Sequence, residues 1–165
     1  MRLGSIEMEQ RTTQRLNLFA AAPKALEALV KLNPILEAST LEHGLTELVK
    51  IRASQINGCA NCLHMHTADA RKAGEREERI YLLDAWRESS MYTPRERAAL
   101  AWTEALTKVA DTHAPDADFE ALKALFDDAE IAHLTILIGE INLWNRIAIG
   151  LRAEHPNDVK LKAAA

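Results

Sequence analysis

The segment CANCLHMH, residues 59–66, contains both cysteines of the chain and two histidines close behind them. Cys59 and Cys62 are three positions apart, and His66 follows Cys62 by four positions. Thiols at this spacing can form a reversible disulfide, can bind a metal ion together with histidines, or can pack as small apolar side chains. Which of the three occurs determines the chemistry that is open to the protein.

A metal site is the first possibility. A structural zinc site needs four ligands, usually two pairs on separate elements, and the four candidates here are Cys59, Cys62, His64 and His66. Residues two positions apart on a helix point about 200° away from each other, so His64 and His66 cannot both reach one ion unless the helix breaks. No second Cys/His pair exists elsewhere. We therefore expect no metal, and we expect His64 to be exposed.

Redox chemistry fits the segment better. Cys62 falls in the first turn of a predicted helix, where unpaired backbone N–H groups and the positive end of the helix dipole favour a thiolate. His66 lies one turn further along the same face and can exchange a proton with that thiol. Cys59 is near enough to form a disulfide with a sulfenic acid at Cys62. Zinc binding and two simply buried cysteines remain as alternatives.

A carboxylate can join this pair. Apolar residues at helical spacing predict a helix over 41–56 that ends near Gly58. In an antiparallel hairpin with the following helix, Glu47 lies eleven residues before Gly58 and His66 eight residues after it. The mismatch is about one helical turn, which a glutamate side chain or one water can span. We predict a proton relay from Glu47 through His66 to the thiol; the alternative for Glu47 is an exposed surface charge.

The rest of the chain predicts an all-α fold in one domain over residues 1–165, since no segment has the alternation of a strand. Pro23 opens a first helix that Asn33-Pro34 interrupts. Thr93, Pro94 and Glu96 form a capping box for another helix. The other predicted elements are helices over 60–73, 76–88, 119–126 and 129–152, with a loop over 111–118.

Composition excludes several classes. The net charge is −4 and no Lys/Arg run occurs, so nucleic-acid binding is not expected. Residues 1–14 lack the apolar core of a secretory signal. Polar residues interrupt the apolar stretch 131–151, which predicts a buried helix instead of a membrane span. We therefore expect a cytoplasmic protein, in which a CxxC pair is catalytic or metal-binding more often than structural.

The pattern Glu47, eleven residues, Cys59-x-x-Cys62, three residues, His66 resembles the signature of the alkyl hydroperoxidase D (AhpD) family, within the carboxymuconolactone decarboxylase-like superfamily. Flanking segments also resemble this family, and the likeness covers about residues 15–153. The segments that carry it are 47–75, 82–89, 93–107 and 141–152.

The resemblance implies an all-α protein that assembles as a trimer or hexamer and reduces a small-molecule peroxide without a cofactor. Cys62 would be the peroxidatic nucleophile. Cys59 would be the resolving thiol, more exposed than Cys62 and the one that meets a dithiol or protein reductant. Glu47 and His66 would serve as the proton relay.

One position departs from the family. Founding members have histidine immediately before the second cysteine, whereas this chain has Asn61. Asparagine forms hydrogen bonds but does not transfer protons at neutral pH. The substitution therefore affects how active a peroxidase the protein is and whether the family's reductant can dock. A non-enzymatic redox sensor or an oligomeric scaffold is the alternative function. A lactone decarboxylase is a weaker one, because those enzymes lack a CxxC pair.

The remaining conspicuous residues are expected to be architectural. Arg52 lies on an apolar stripe and should pair with a carboxylate, and the tail after Glu154 should fray or contact another subunit. We expect Trp86, Trp102 and Trp144 to lie in the core or at subunit contacts. We expect Asn142, Asn145 and Arg146 to pair with buried helix ends or to form subunit contacts, and not to line a pocket.

Overall fold

The computed structural model describes residues 14–155. The expectations about a secretory signal and about most of the tail after Glu154 concern residues outside this range. Between residues 14 and 155, every regular element is helical, which confirms the all-α fold class. The α-helices, in chain order, are α1 Leu18–Ala21, α2 Pro23–Val30, α3 Leu32–Glu37, α4 His43–Asn57, α5 Ala60–Lys72, α6 Glu77–Leu82, α7 Pro94–Thr107, α8 Val109–Thr112, α9 Asp116–Lys123 and α10 Asp128–Leu151, and a short 3-10 helix covers Leu83–Ala85.

Helix α4 is the centre of the fold, because it packs against α5, α7 and α10. Its apolar residues Leu48, Val49 and Ile51 are fully buried, and they belong to two separate core clusters. One cluster joins α4 to α7, α9 and α10, and the other joins it to α5, α6 and the 3-10 helix. The side chains of α4 are therefore fixed by contacts with several other helices.

The expected partner of Arg52 is present. This buried guanidinium donates to Glu104 Oε1 at 2.9 Å and to Asp84. Glu104 also accepts from the indole N–H of Trp86 at 2.8 Å. Burial raises the pKa of Glu104, but the hydrogen bonds from Trp86 and Arg87 and the charge of Arg52 hold it below its ordinary value. The network links α4, α7 and the segment after α6.

The helix predicted over 76–88 is shorter in the structure. Helix α6 ends at Leu82, and a 3-10 helix and turns follow it. The cause lies outside the segment: the Arg97 guanidinium donates to the backbone carbonyls of Trp86 at 2.9 Å and Arg87 at 2.8 Å. Because α7 supplies these donors, the chain can turn there without leaving its carbonyl groups unpaired.

The predicted loop over 111–118 was also wrong in part. Helix α8 runs to Thr112 and α9 begins at Asp116, so only 113–115 are irregular. Asp116 and Asp118 occupy the first turn of α9, where carboxylates interact favourably with the helix dipole. These acidic residues start a helix instead of marking a loop.

Helix α7 begins with the predicted capping box at Thr93–Glu96, and α10 begins with a second capping box at Asp127–Glu130. In the described part of the chain, α10 is the one helix that is long and apolar enough to cross a membrane by length and composition. Its face toward α4 and α7 contributes Leu134, Leu137 and Ile138 to the core. This face of α10 is therefore part of the protein core.

Candidate active site

The cysteine pair occupies the turn between α4 and α5. Helix α4 ends at Gly58, whose φ of 71° lies in the left-handed region that favours glycine. Cys59 follows as the N-cap residue of α5, and its sulfur accepts a hydrogen bond from the backbone N–H of Cys62 at 3.4 Å. The two cysteines are joined by a disulfide, with their Cα atoms 5.4 Å apart. The turn thus brings both sulfurs to the start of α5.

Glu47 and His66 meet directly across the α4–α5 pair. The His66 Nδ1 atom lies 3.0 Å from Glu47 Oε2, and the exposed fractions of the two residues are 9% and 3%. The two residues were predicted to differ by one helical turn in their distance from Gly58, and their side chains span this difference by direct contact. The structure therefore brings together the four residues that the sequence singled out, and Glu47 is not an exposed surface charge.

Lys50 belongs to the same cluster, although the sequence analysis did not single it out. Its ammonium group donates to Glu47 Oε1 at 2.8 Å, one helical turn from the glutamate. Burial raises the pKa of Glu47, but the hydrogen bonds from His66 and Lys50 and the charge of Lys50 hold it below its ordinary value. Glu47 is therefore a carboxylate at neutral pH.

A cavity of about 860 Å³ opens next to this cluster. Cys62, His66 and Glu47 line one side of it, together with Asn61. The opposite walls come from α10 and from the N-terminal helices α1 to α3, and they are largely apolar. Among the lining residues of these walls are Phe19, Leu26, Val30, Leu36, Leu137, Ile141 and Trp144.

The expected exposure of the two cysteines is reversed. The resemblance implied that Cys59 is the more exposed, but 1% of Cys59 and 5% of Cys62 is exposed, and only Cys62 lines the cavity. Both cysteines belong to one buried cluster with Ala53 of α4 and Ile141 of α10, and only Cys62 also borders the cavity.

Glu140 and Trp144 complete the cavity wall on α10. Glu140 is buried and accepts a hydrogen bond from the Trp144 indole N–H. Burial raises the pKa of Glu140, although this indole and the nearby charges of Lys50 and His66 act in the opposite direction. Trp144 therefore lines the cavity instead of serving only the core, in contrast to the buried Trp86 and Trp102.

An asparagine network fixes the turn that precedes Cys59. The Asn57 amide donates to Asn142 Oδ1 at 2.9 Å and to Asn145 Oδ1 at 2.8 Å. Asn145 in turn donates to Ser54 Oγ at 3.0 Å. The side chains of the two α10 asparagines thus pair with polar groups at the end of α4, as expected. Against the expectation of no pocket, Asn145 and Arg146 also border a second cavity of about 260 Å³.

The zinc interpretation does not fit this geometry. The two cysteine sulfurs are bonded to each other. His64 is exposed, as expected, and its ring lies edge-on to the ring of His155, with the ring centroids 4.7 Å apart. Among the described residues, a set with metal-compatible spacing is Glu47, His66 and exposed Asp69, whose candidate ligand atoms lie within 4.8 Å of one another. Glu47 already has His66 and Lys50 as partners, so we assign no metal to this set.

Comparison with known proteins identifies the family. Residues 20–105 match the model of the carboxymuconolactone decarboxylase family. An uncharacterized protein of Bacillus subtilis (strain 168), YdfG, is 39% identical over 139 residues, which cover 84% of this chain and 95% of YdfG. This chain therefore belongs to the carboxymuconolactone decarboxylase family.

Solved structures place it in the AhpD-like part of that family. A crystal structure from Agrobacterium tumefaciens, of a protein of unknown function named for antioxidant defence protein AhpD, is 49% identical. It matches with a TM-score of 0.84 over 87% of this chain and 99% of that one. An uncharacterized peroxidase-related protein from Silicibacter sp. TM1040 is 25% identical, with a TM-score of 0.71 over 81% and 71% of the two chains. The AhpD-like resemblance is thus confirmed, and the cysteine pair fits an antioxidant, peroxidase-like role.

Proposed function

We propose that this protein is a thiol-dependent peroxidase that cycles between the dithiol and the disulfide of Cys59 and Cys62. One observation carries the proposal: Cys62 lines the same cavity as the buried Glu47–His66 pair and is already bonded to Cys59. A nucleophile, a proton relay and a resolving thiol are the three groups that such a cycle needs.

The cycle begins with the thiolate of Cys62. Its sulfur attacks the terminal oxygen of the peroxide, the O–O bond breaks, and His66 supplies a proton to the departing hydroxide or alkoxide. Cys62 is then a sulfenic acid. The Cys59 thiol attacks this sulfur, a disulfide forms, and water leaves. A dithiol reductant returns both cysteines to thiols.

Glu47 has a positioning role in this scheme. Its carboxylate only accepts hydrogen bonds, so the 3.0 Å contact requires a hydrogen on His66 Nδ1. The other ring nitrogen, Nε2, is then left to take a proton from the Cys62 thiol and to give it to the leaving group. The start of α5 supports the same assignment, because backbone N–H groups of a first helical turn stabilise a thiolate.

The substrate, the assembly and the location are parts of the same proposal. The largely apolar walls of the cavity suit an organic hydroperoxide better than hydrogen peroxide. Helix α10 leaves Ile136, Leu143 and Ile149 exposed, an apolar surface of the kind that a trimer or hexamer would cover. We place the protein in the cytoplasm, where thiols are kept reduced.

The test is stopped-flow consumption of cumene hydroperoxide and hydrogen peroxide by the reduced protein, with thiols counted before and after. The wild type should lose two thiols per chain, as follows from its one cysteine pair. Cys62→Ser should not consume peroxide, and Cys59→Ser should stop at the sulfenic acid. His66→Gln should react about 10²- to 10⁴-fold more slowly.

His64→Gln is the matched control, because His64 lies on the same helix but is exposed and does not line the cavity. It should react like the wild type. If the wild-type protein oxidises no faster than free cysteine, the peroxidase proposal fails. The cysteine pair would then serve as a slow redox sensor.

A further inference from the structure

The cavity beside Cys62 has more acidic than basic side chains in its walls. Among the described residues that line it, four carry carboxyl groups and two carry ammonium groups. The carboxyl groups belong to Glu37, Glu47, Asp69 and Glu140, and the ammonium groups belong to Lys50 and Lys72. Most of the other lining side chains are apolar. A ligand in this cavity therefore meets apolar surface and an excess of negative charge.

Glu140 differs from the other charged residues of the lining. Glu37, Asp69 and Lys72 are exposed to solvent, and Glu47 is paired with Lys50 at 2.8 Å. Glu140 is only 8% exposed, and the partner that the described part of the chain gives it is the neutral indole N–H of Trp144. Its charge is therefore the buried charge of the cavity that no ion pair balances.

The ionisation of Glu140 indicates how the cavity affects an anion. Burial raises the pKa of this carboxyl group, and the Trp144 hydrogen bond and the charges of Lys50 and His66 offset that effect only in part. Burial raises a carboxyl pKa because the surroundings solvate the negative charge less well than water does. A carboxylate on a ligand would also lose its hydration there. Ionised Glu140 would repel it as well.

We propose that the cavity selects uncharged organic hydroperoxides and rejects those that carry a carboxylate, with Glu140 as the residue that sets this preference. This inference rests on the proposed peroxidase function and adds a substrate class to it. The hydroperoxide group of the substrate lies at Cys62, and its uncharged body packs against the apolar walls formed by α10 and by helices α1 to α3. No part of such a substrate places a negative charge beside Glu140.

The first test measures binding without peroxide. Isothermal titration calorimetry at pH about 8, where Glu140 is ionised, compares 1-octanol, octanoate and octylammonium as ligands of the oxidised protein. 1-Octanol should bind at least about tenfold more tightly than octanoate. Octylammonium should also bind more tightly than octanoate, because its charge is opposite to that of Glu140. Octanoate binding as tight as that of 1-octanol would overturn the proposal. Octylammonium binding as weak as that of octanoate would show that the cavity rejects charge of either sign, and the role of Glu140 would be wrong.

The second test removes the charge of Glu140. Glu140→Gln keeps almost the same volume, and its amide oxygen can still accept a hydrogen bond from Trp144. The ratio of 1-octanol to octanoate affinity should fall at least about fivefold in this variant. Glu120→Gln is the matched control, because Glu120 is exposed on α9 and does not line the cavity. It should keep the wild-type ratio. An unchanged ratio in Glu140→Gln, with circular dichroism showing that the variant is folded, would overturn the proposal.

A kinetic comparison extends the test to peroxides. The reduced protein should be oxidised faster by cumene hydroperoxide than by its ring-carboxylated derivative, and Glu140→Gln should bring the two rates closer together. Equal rates with the wild-type protein would contradict the selection. If neither compound oxidises the protein faster than it oxidises free cysteine, the peroxidase proposal fails. The binding order of 1-octanol and octanoate uses no peroxide, so the two failures stay distinguishable.

Discussion

Replacing Glu47 with glutamine removes one negative charge from a buried site and leaves its volume almost unchanged. In the wild type, Oε2 lies 3.0 Å from His66 Nδ1 and Oε1 lies 2.8 Å from Lys50 Nζ. Glutamine can offer one oxygen to one of these partners, and its amide group cannot accept from the other. Either His66 loses its orientation or Lys50 loses its partner.

The size of the effect follows from these contacts. A hydrogen bond to a charged group contributes about 1.5–3 kcal/mol and a neutral one about 0.5–1.5 kcal/mol. The difference, about 1–1.5 kcal/mol, corresponds to roughly a tenfold change in rate. Loss of the counter-charge to a protonated His66, while the positive charge of Lys50 stays nearby, adds to this. We expect Glu47→Gln to oxidise about 10- to 100-fold more slowly.

The assay is the second-order rate constant for oxidation of the reduced protein by cumene hydroperoxide, measured together with the melting temperature. Glu77→Gln is the control, because Glu77 forms an exposed ion pair with Arg71 and neither residue lines the cavity. Such pairs contribute about 0–1 kcal/mol, so this variant should match the wild type. A Glu47→Gln protein that is fully folded and reacts within about twofold of the wild type would refute the relay.

Three further predictions concern stability. The pKa of Glu104 is held below its ordinary 4.5, so its carboxylate stabilises the fold above that pH, and this contribution is lost as pH falls through the lowered value. In Glu104→Gln, the free energy of unfolding from urea denaturation should therefore fall less steeply at acid pH than in the wild type. An unchanged dependence on pH would contradict this. Burial raises the pKa of Glu140 above 4.5, so its ionisation destabilises the fold as pH rises. The difference in unfolding free energy between Glu140→Gln and the wild type should therefore favour the variant more at pH about 8 than at pH about 4. Equal differences at the two pH values would contradict this. Gly58→Ala adds a Cβ with no atom within 4 Å, so only the left-handed backbone opposes it, at about 1–2 kcal/mol; an unaltered melting temperature would show that the turn relaxes.

The elements around the site were predictable because their signals are local. The glycine stop at 58 and the capping boxes at Thr93–Glu96 and Asp127–Glu130 are read within a few residues of the element they define. The contact between Glu47 and His66 followed from counting residues on either side of one tight turn. Such arguments need no knowledge of how distant segments pack.

The rest of the site depends on contacts between distant segments. Lys50 and Glu140 belong to different helices, and nothing in either local pattern indicates a shared cavity. Cys59 shares its buried cluster with Ile141, which is 82 residues away in the chain (141 − 59). The early end of α6 likewise depends on Arg97 of the next long helix. Only a folded structure reveals which of these surfaces meet.

The indole of Trp144 gives the molecule an optical reporter of its own. This ring borders the same cavity as Cys62, whereas Trp86 and Trp102 are buried elsewhere in the core. Disulfide sulfur quenches indole emission by electron transfer at short range, and thiols do so less. The fluorescence of Trp144 should therefore change as the cysteine pair changes state, and a Trp144→Phe protein should lose that change. Turnover could then be watched in a single cuvette, without dyes, coupling enzymes or thiol reagents.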